Sequence, residues 1–259
     1  KPQTACRVQA MTLKIAIIGA GMAGITAART LVQAGHRVHI FEKSRGAAGR
    51  MSTRETVFGT FDHGTQYFTV RDPRFSLALQ TVAGTKEICR PWSASAVRVL
   101  DPMGQVFEAA KQNHDAHFVA SPGMNALVRH WAQPLGKALH LLNQVQRMER
   151  NAKGQWTMHS INASTRAEIP ETHSGFDRVL LAVPSVQAEQ LLRNSGTHAN
   201  DTHFLEAISK VQVAPCWTLM LAFPNASNPD LPHLGPQWNA ARSTHHRVAW
   251  LTRESSKPG

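Results

Sequence analysis

With 259 residues, 42% hydrophobic and 17% charged, the chain has enough apolar material for a large core and is not a disordered polymer. Its net charge of +11 is scattered, with no run of five or more basic residues, which leaves a basic globular protein and excludes a concentrated nucleic-acid patch. The three cysteines, Cys6, Cys89 and Cys216, lie far apart without a CxxC, against a zinc knuckle, a dithiol pair or a disulfide framework.

Residues 1–10 precede Met11 and read as a leader or extension. Residues 14–18 form a short strand, continuously apolar from Ile15, as expected of a strand buried on both faces of a parallel sheet. A helix follows over about 22–34, with Ile25, Ala28, Leu31 and Val32 on one face and Gly35 just past its end. Residues 38–42 are the second strand of this βαβ-type unit. Pro73, Pro91 and Pro102 mark loops, and 97–100 with 105–108 suggest a hairpin around Asp101-Pro102-Met103-Gly104. A helix is predicted at 124–132, then two strands, 139–150 and 155–161, joined by a turn at 151–154. Residues 178–183 are a further buried strand, 186–192 a helix, 216–223 a strand, and 225–235 a loop rich in Pro and Asn. No apolar stretch approaches the roughly 20 residues that span a bilayer. Among fourteen histidines there is no HExxH, and the side chains of adjacent His245 and His246 diverge on either a helix or a strand, so no metal site is expected.

Gly19-Ala20-Gly21-Met22-Ala23-Gly24 fits GxGxxG between a strand and a helix. The first glycine permits the tight turn, the second admits a pyrophosphate, and Gly24 lets helix and sheet approach closely. The helix N-terminus offers N–H groups and positive dipole to phosphates. Glu42 lies 18 residues beyond Gly24, where an acid can accept bonds from ribose hydroxyls. That pattern suits NAD or the adenosine half of FAD, and the spacing alone does not choose between them.

Immediately afterwards comes Lys43-Ser44-Arg45-Gly46-Ala47-Ala48-Gly49-Arg50-Met51, a glycine- and arginine-bearing loop. Here the chain resembles the flavin-containing amine oxidase superfamily, with Ala47-Ala48-Gly49 in place of the usual glycine doublet. Phe61-Asp62-His63-Gly64-Thr65-Gln66-Tyr67-Phe68-Thr69 resembles the renalase-like branch, of bacterial type. Ser121-Pro122-Gly123-Met124-Asn125, Leu180-Leu181-Ala182-Val183-Pro184 and Ser255-Ser256-Lys257-Pro258-Gly259 are similar to the same branch.

The resemblance implies an α/β fold: a Rossmann-like FAD-binding domain carrying the GxGxxG βαβ unit, with an inserted α+β substrate domain of mostly antiparallel sheet. The expected division gives 11–75 and 121–195 to the FAD domain, and 76–120 and 196–259 to the substrate domain. Non-covalent FAD is implied, held by Gly19, Gly21, Met22, Ala23, Gly24, Glu42, Lys43, Gly49, Arg50 and Met51. Gly64, Gln66 and Tyr67 would lie near the flavin ring, and the Val145 backbone would meet the adenine, unless Val145 is an ordinary strand core residue. Gln66, Tyr67 and Phe68 are pocket candidates, with core packing the alternative for the two aromatics. Arg71 and Arg74 either serve substrate phosphates or are surface charges.

The implied activity is oxidation of an isomeric dihydro-NAD(P), with hydride passing to flavin N5 and dioxygen giving hydrogen peroxide. No protein acid or base is assigned to the chemistry. The alternatives are an amine oxidase acting on a small amine and a catalytically silent flavin-fold protein. The expected setting is cytoplasmic, with no nucleic-acid or membrane partner. The superfamily's carboxy-terminal Gly-Asp motif and its helix do not follow Gly259, so the sequence reads as lacking the C-terminal FAD-binding segment.

Overall fold

A computed structural model describes residues 11–82, 84–92, 97–109, 116–165, 170–196, 202–223, 239–245 and 247–258. Residues 1–10, the predicted loop at 225–235 and His246 lie outside the described residues.

In chain order the elements begin with β1 (Lys14–Ile18), α1 (Met22–Gln33), β2 (Arg37–Phe41), β3 (Thr53–Thr56), β4 (Gly59–Asp62) and β5 (Phe68–Thr69). They continue with α2 (Pro73–Thr81), α3 (Thr85–Ile88), β6 (Cys89–Trp92), β7 (Val97–Leu100), β8 (Val106–Ala109), β9 (His117–Ala120) and α4 (Asn125–Ala132). After these come β10 (Leu139–His140), β11 (Asn143–Arg150), β12 (Trp156–Asn162), β13 (Glu171–Phe176) and β14 (Arg178–Leu181). The last are α5 (Ser185–Asn194), α6 (Thr202–Ser209), β15 (Ala240–Ser243) and β16 (Trp250–Thr252).

The chain divides into two units: Lys1–Ala47 with Ala132–Ala214, and Ala48–Trp131 with Pro215–Gly259. These breaks differ from the expected boundaries. Residues 48–75 and 121–131 belong with the second unit, because β3, β4 and the turn before α4 interlock there through Asp62. Residues 196–214 belong with the first, where α6 packs on α5.

The first unit contains a parallel sheet in the order β10-β2-β1-β14. Ala16 and Ile17 of β1 are fully buried, as a continuously apolar strand requires. Helix α1 buries Gly24, Ile25 and Ala28. It ends in a Schellman arrangement, with Gly35 N donating to Val32 O at 2.9 Å and His36 N to Leu31 O at 3.0 Å, while Gly35 takes φ +86°. An antiparallel sheet, β11-β12-β13, joins the same core through Val145, Met148, Met158 and Phe176, packed with Phe41 and Leu191. The predicted strand at 139–150 is two strands, since Leu142 adopts φ +55° between β10 and β11.

Within this unit three imidazoles stack against two phenylalanines. His39 Nδ1 and His140 Nε2 are 3.1 Å apart, and their rings are 5.4 Å apart and nearly parallel. His173 and His140 flank Phe41, with ring centroids 4.9 and 5.1 Å from it. Burial, then the charges of Lys14 and the neighbouring histidines, pushes His39 below its ordinary value, and burial together with His173 does the same to His140. Below the unfolded value of about 6.5 the unfolded chain therefore binds more protons than the folded one. Stability should be complete above that pH and decline as pH falls through the lowered folded values. Thermal melts from about pH 7.5 to about pH 5.5 should show a falling Tm, and His39→Gln should flatten the slope.

Among the described residues the second unit is a set of small, mostly antiparallel sheets, β3-β4, β5-β9-β6 and β16-β15-β7-β8, in which β7 and β15 pair in parallel. The predicted hairpin is present as β7 and β8. Pro73 opens α2 instead of marking a loop. It occupies the first helical turn, where its missing N–H is not needed, and the Asp72 carboxylate caps the Arg74 N–H at 2.8 Å. Residues 216–223 form no ladder among the described residues, so the predicted strand is absent as a paired element. Trp217 is 95% exposed there, and Leu219, Leu221 and Phe223 are also exposed.

No helix among the described residues is long and apolar enough to cross a membrane. Nor do the described residues contain a group of three or more His, Cys, Asp or Glu able to hold a metal ion.

Candidate functional site

The first unit places Gly19, Gly21, Met22, Ala23, Gly24, Glu42, Lys43 and Val145, and the second places Gly49, Arg50, Met51, Gly64, Gln66, Tyr67 and Phe68.

In the first unit, β1 runs into a turn whose glycines are required by contact. A Cβ on Gly19 would sit 2.6 Å from the Ala182 carbonyl oxygen, and one on Gly24 would sit 2.0 Å from the Gly19 oxygen. The chain passage Ala182-Val183 thus backs the glycine turn directly. Gly21 is the residue before α1 and supplies no side-chain cap. The first intrahelical bond is Ile25 N to Gly21 O at 3.0 Å, which leaves the preceding N–H groups at the open helix end without intrahelical acceptors.

Glu42 follows β2 and is only 7% exposed. Its Oε2 accepts from Ala20 N at 2.8 Å, and its Oε1 from Ser44 N at 2.8 Å. A carboxylate offers about four lone-pair sites, so two remain after these bonds. The backbone around Glu42 is fixed by β10 and β11, with Glu42 N donating to His140 O and Asn143 N to Glu42 O. Val145 stands two residues further along β11, its side chain in the core, beside a register shift between Val145 and Arg147. Lys43 is exposed.

These features fit the adenosine diphosphate part of a dinucleotide: free N–H groups and the positive end of a helix face one way, and an anchored carboxylate stands on the neighbouring strand. Glu42→Ala removes the acceptor of both Ala20 N and Ser44 N. It should weaken FAD binding roughly tenfold, read by quenching of flavin fluorescence.

In the second unit, three of the sequence passages singled out above meet at one carboxylate. Asp62 Oδ1 accepts from Thr53 Oγ1 at 2.6 Å and from Met124 N at 2.9 Å, while Oδ2 accepts from Lys257 Nζ at 2.8 Å. A Cβ on Gly123 would lie 2.6 Å from the Thr53 side chain, so that glycine lets the turn before α4 close on β3. Arg50 is exposed and follows Gly49, whose φ is +56°. Its carbonyl accepts from Thr65 N at 2.9 Å, and a Cβ on Gly64 would sit 2.2 Å from that oxygen. The Gly49-Arg50 loop and the 62–69 passage are therefore one substructure.

Tyr67 packs edge-to-face on His117 at 4.3 Å and near Trp92 and Trp250 at 6.1 and 6.0 Å, while Phe68 lies against Phe75 and Phe118. The Gln66 amide is fully engaged inside the turn. Its Nε2 donates to Asp62 O and, at 3.3 Å, to Gly64 O, and its Oε1 accepts from Lys257 at 3.3 Å. Arg74 binds Asp72 through two nitrogens and holds that carboxyl at about 2. Burial pushes the Cys89 thiol up to about 11, which makes it a poor nucleophile.

Asp62, Lys257 and Glu254 were not singled out from sequence. Asp62 and Lys257 stand in the sequence only as members of the 61–69 and 255–259 passages, and the Asp62–Lys257 pairing spans 195 residues and has no local signature.

A family model described as flavin containing amine oxidoreductase matches residues 104–257, and one described as NAD(P)-binding Rossmann-like domain matches residues 17–80. The first covers more than half of the chain, which belongs to the flavin containing amine oxidoreductase family, a class of FAD-dependent oxidoreductases. Among curated proteins, the chain is similar to 4,4'-diapophytoene desaturase (4,4'-diaponeurosporene-forming) of Staphylococcus aureus strain Newman: 46% identity over 52 residues, which are 20% of this chain and 10% of the relative. Among solved structures it shares a fold with a CLA-producing fatty acid isomerase from P. acnes: TM-score 0.56, 14% identity, 76% of this chain and 64% of the other. A double mutant of putrescine oxidase shares the fold at TM-score 0.52 and 14% identity, over 70% of this chain and 60% of the other. The chain thus spans about a tenth of the curated relative and less than two thirds of these solved relatives.

Proposed function

We propose that the chain holds FAD non-covalently and serves a renalase-like oxidation of isomeric dihydro-NAD(P). The cofactor reading rests on one observation above the others: the uncapped N-terminus of α1 beside the Glu42 carboxylate, which is already oriented by Ala20 N and Ser44 N. In this reading Gly19, Gly21, Met22, Ala23 and Gly24 receive the pyrophosphate, and Glu42 receives the ribose. Gly49, Arg50 and Met51 supply further N–H groups and a guanidinium to the phosphates. Gly64, Gln66 and Tyr67 form the turn at the ring end, and Val145 offers its backbone to the adenine.

FAD, when bound, supplies a hydride acceptor that dioxygen reoxidises with release of hydrogen peroxide. The chain's part is to orient and to shield. Hydride loss from a dihydronicotinamide leaves an aromatic pyridinium, so this oxidation needs no strong protein base. That suits a turn whose nearby acids, Asp62 and Glu254, are both engaged by Lys257. The net charge of +11 favours a phosphate-bearing substrate over a polyamine.

The test is anaerobic. FAD-loaded protein is mixed separately with 6-dihydroNAD, 4-dihydroNADH and spermine while the visible flavin band is followed. Bleaching by 6-dihydroNAD is the expected result. Bleaching by spermine alone would assign an amine oxidase instead, and no bleaching by any of them a silent flavin fold.

A further inference from the structure

Lys257 is the least expected charge in the second unit. Its side chain is 9% exposed and that of Asp62 is 2% exposed, so both ions have left water. A buried ammonium persists only where its three N–H groups find acceptors. Here they do: Asp62 Oδ2 at 2.8 Å, Glu254 Oε1 at 3.0 Å and Gln66 Oε1 at 3.3 Å. The Trp92 ring lies 5.9 Å from the ammonium and closes another side. All three donors are thereby engaged within the protein, and none remains for a cofactor or substrate.

The third acceptor is the informative one. A glutamine amide can present either end, but an ammonium is donor-only and demands the oxygen. With Oε1 held by Lys257, Nε2 must face the other way, onto the carbonyls of Asp62 and Gly64. Those two carbonyls belong to the turn between β4 and Tyr67. Lys257 thus fixes the amide, and the amide fixes the turn. The backbone after β16 is itself anchored, by Trp92 Nε1 donating to Ser256 O and Oγ at 3.2 Å and by Lys257 N donating to Glu254 O at 3.0 Å. Asp62 in turn carries Thr53 and Met124, so the ammonium also ties β3 and the start of α4 to the same point.

We propose that Lys257 is a positioning residue of the flavin-ring pocket: seated between Asp62 and Glu254, it holds the Gln66 amide in one orientation and thereby sets the 62–67 turn that carries Gly64 and Tyr67. The inference rests on reading that turn as the ring end of the cofactor site.

Two measurements on the whole 259-residue chain test it. The first needs no cofactor. In the 15N-labelled protein, the side-chain NH2 signals of Gln66, assigned by their loss in Gln66→Glu, should be dispersed and slow to exchange. In Lys257→Met they should collapse toward free-amide positions and exchange roughly tenfold faster, with Lys257→Arg restoring part of the protection. Unmoved Gln66 signals in a folded Lys257→Met protein would overturn the proposal.

The second measurement is FAD affinity by fluorescence quenching. Gln66→Leu leaves the Lys257–Asp62–Glu254 ions in place, so it covers the case in which Lys257→Met does not fold. It should bind FAD about tenfold more weakly. Wild-type affinity in folded Gln66→Leu would also overturn the proposal. Failure of the wild-type protein to bind FAD would count against the cofactor reading, and the Gln66 signals would then decide alone whether Lys257 sets the turn.

Discussion

Gly24→Ala is expected to melt about 10 °C below the wild type. The new methyl carbon would stand 2.0 Å from the Gly19 carbonyl oxygen and 3.2 Å from Ala182 Cβ. The first neighbour is backbone just past β1, whose Ala16 and Ile17 are fully buried, and cannot swing aside, so α1 must lift from the glycine turn. Overpacking of this kind costs about 3 kcal/mol, and in a chain of this size each kcal/mol shifts Tm by roughly 2–4 °C. Gly35→Ala is the control. Nothing lies within 4 Å of its added carbon, so only the strain of φ +86° remains, about 1 kcal/mol. Scanning calorimetry on the two variants separates steric collision from backbone strain. Equal Tm losses would refute the collision argument.

Asp62→Ala should be comparably damaging for an electrostatic reason. It deletes the acceptor of Thr53, Met124 N and Lys257 at once and leaves a buried ammonium with Glu254 as its one remaining charged partner beside the neutral Gln66 amide oxygen. Breaking a buried pair from one side costs about 3–5 kcal/mol. Burial already raises Glu254 above its ordinary value, so the carboxylate left beside the stranded lysine is itself held at a desolvation cost. The double variant Asp62→Leu with Lys257→Met removes both charges and should recover part of the lost stability, because an apolar pair leaves no ion unpaired. Urea melts of Asp62→Leu, Lys257→Met and the double variant complete the cycle. Strict additivity would mean that the two residues do not act as a pair. By contrast, Arg74→Ala removes an ion pair open to solvent while keeping the Asp72 cap on α2, and should leave Tm almost unchanged.

The parts of this protein written locally are legible in its sequence. β1, α1 and β2 declare themselves by an apolar run, a helical face and a glycine stop, and all three stand where the pattern puts them. The β7–β8 hairpin is equally plain from its Asp-Pro-Met-Gly turn. Pro73 misleads because proline ends helices more often than it begins them, and only the cap at Asp72 reverses the meaning. The strand expected at 216–223 is apolar at every position but Thr218, but a strand exists only by pairing, and an apolar run cannot name a partner. Leu142 breaks one predicted strand into two by adopting a left-handed conformation that its residue type does not announce.

The site divides in the same way. The glycine turn and Glu42 are readable because 18 residues of strand and helix geometry connect them. The Asp62–Lys257 pair is invisible in one dimension, since a buried salt bridge has no period and no flanking signature. Gln66 is named from sequence as a pocket candidate by resemblance, but the direction of its amide depends on a lysine that sequence separates from it by 191 residues.

The unpaired run at 216–223 has a consequence for the bench. Trp217, Leu219, Leu221 and Phe223 are exposed at every second position of a segment that forms no ladder among the described residues, with no charged side chain among its eight residues. Such a stretch is a template for intermolecular strand addition, the chemistry that seeds cross-β growth. Loss of soluble protein should therefore rise more steeply than linearly with concentration and begin without any unfolding. A preparation kept dilute would stay monodisperse at temperatures where a concentrated one turns cloudy.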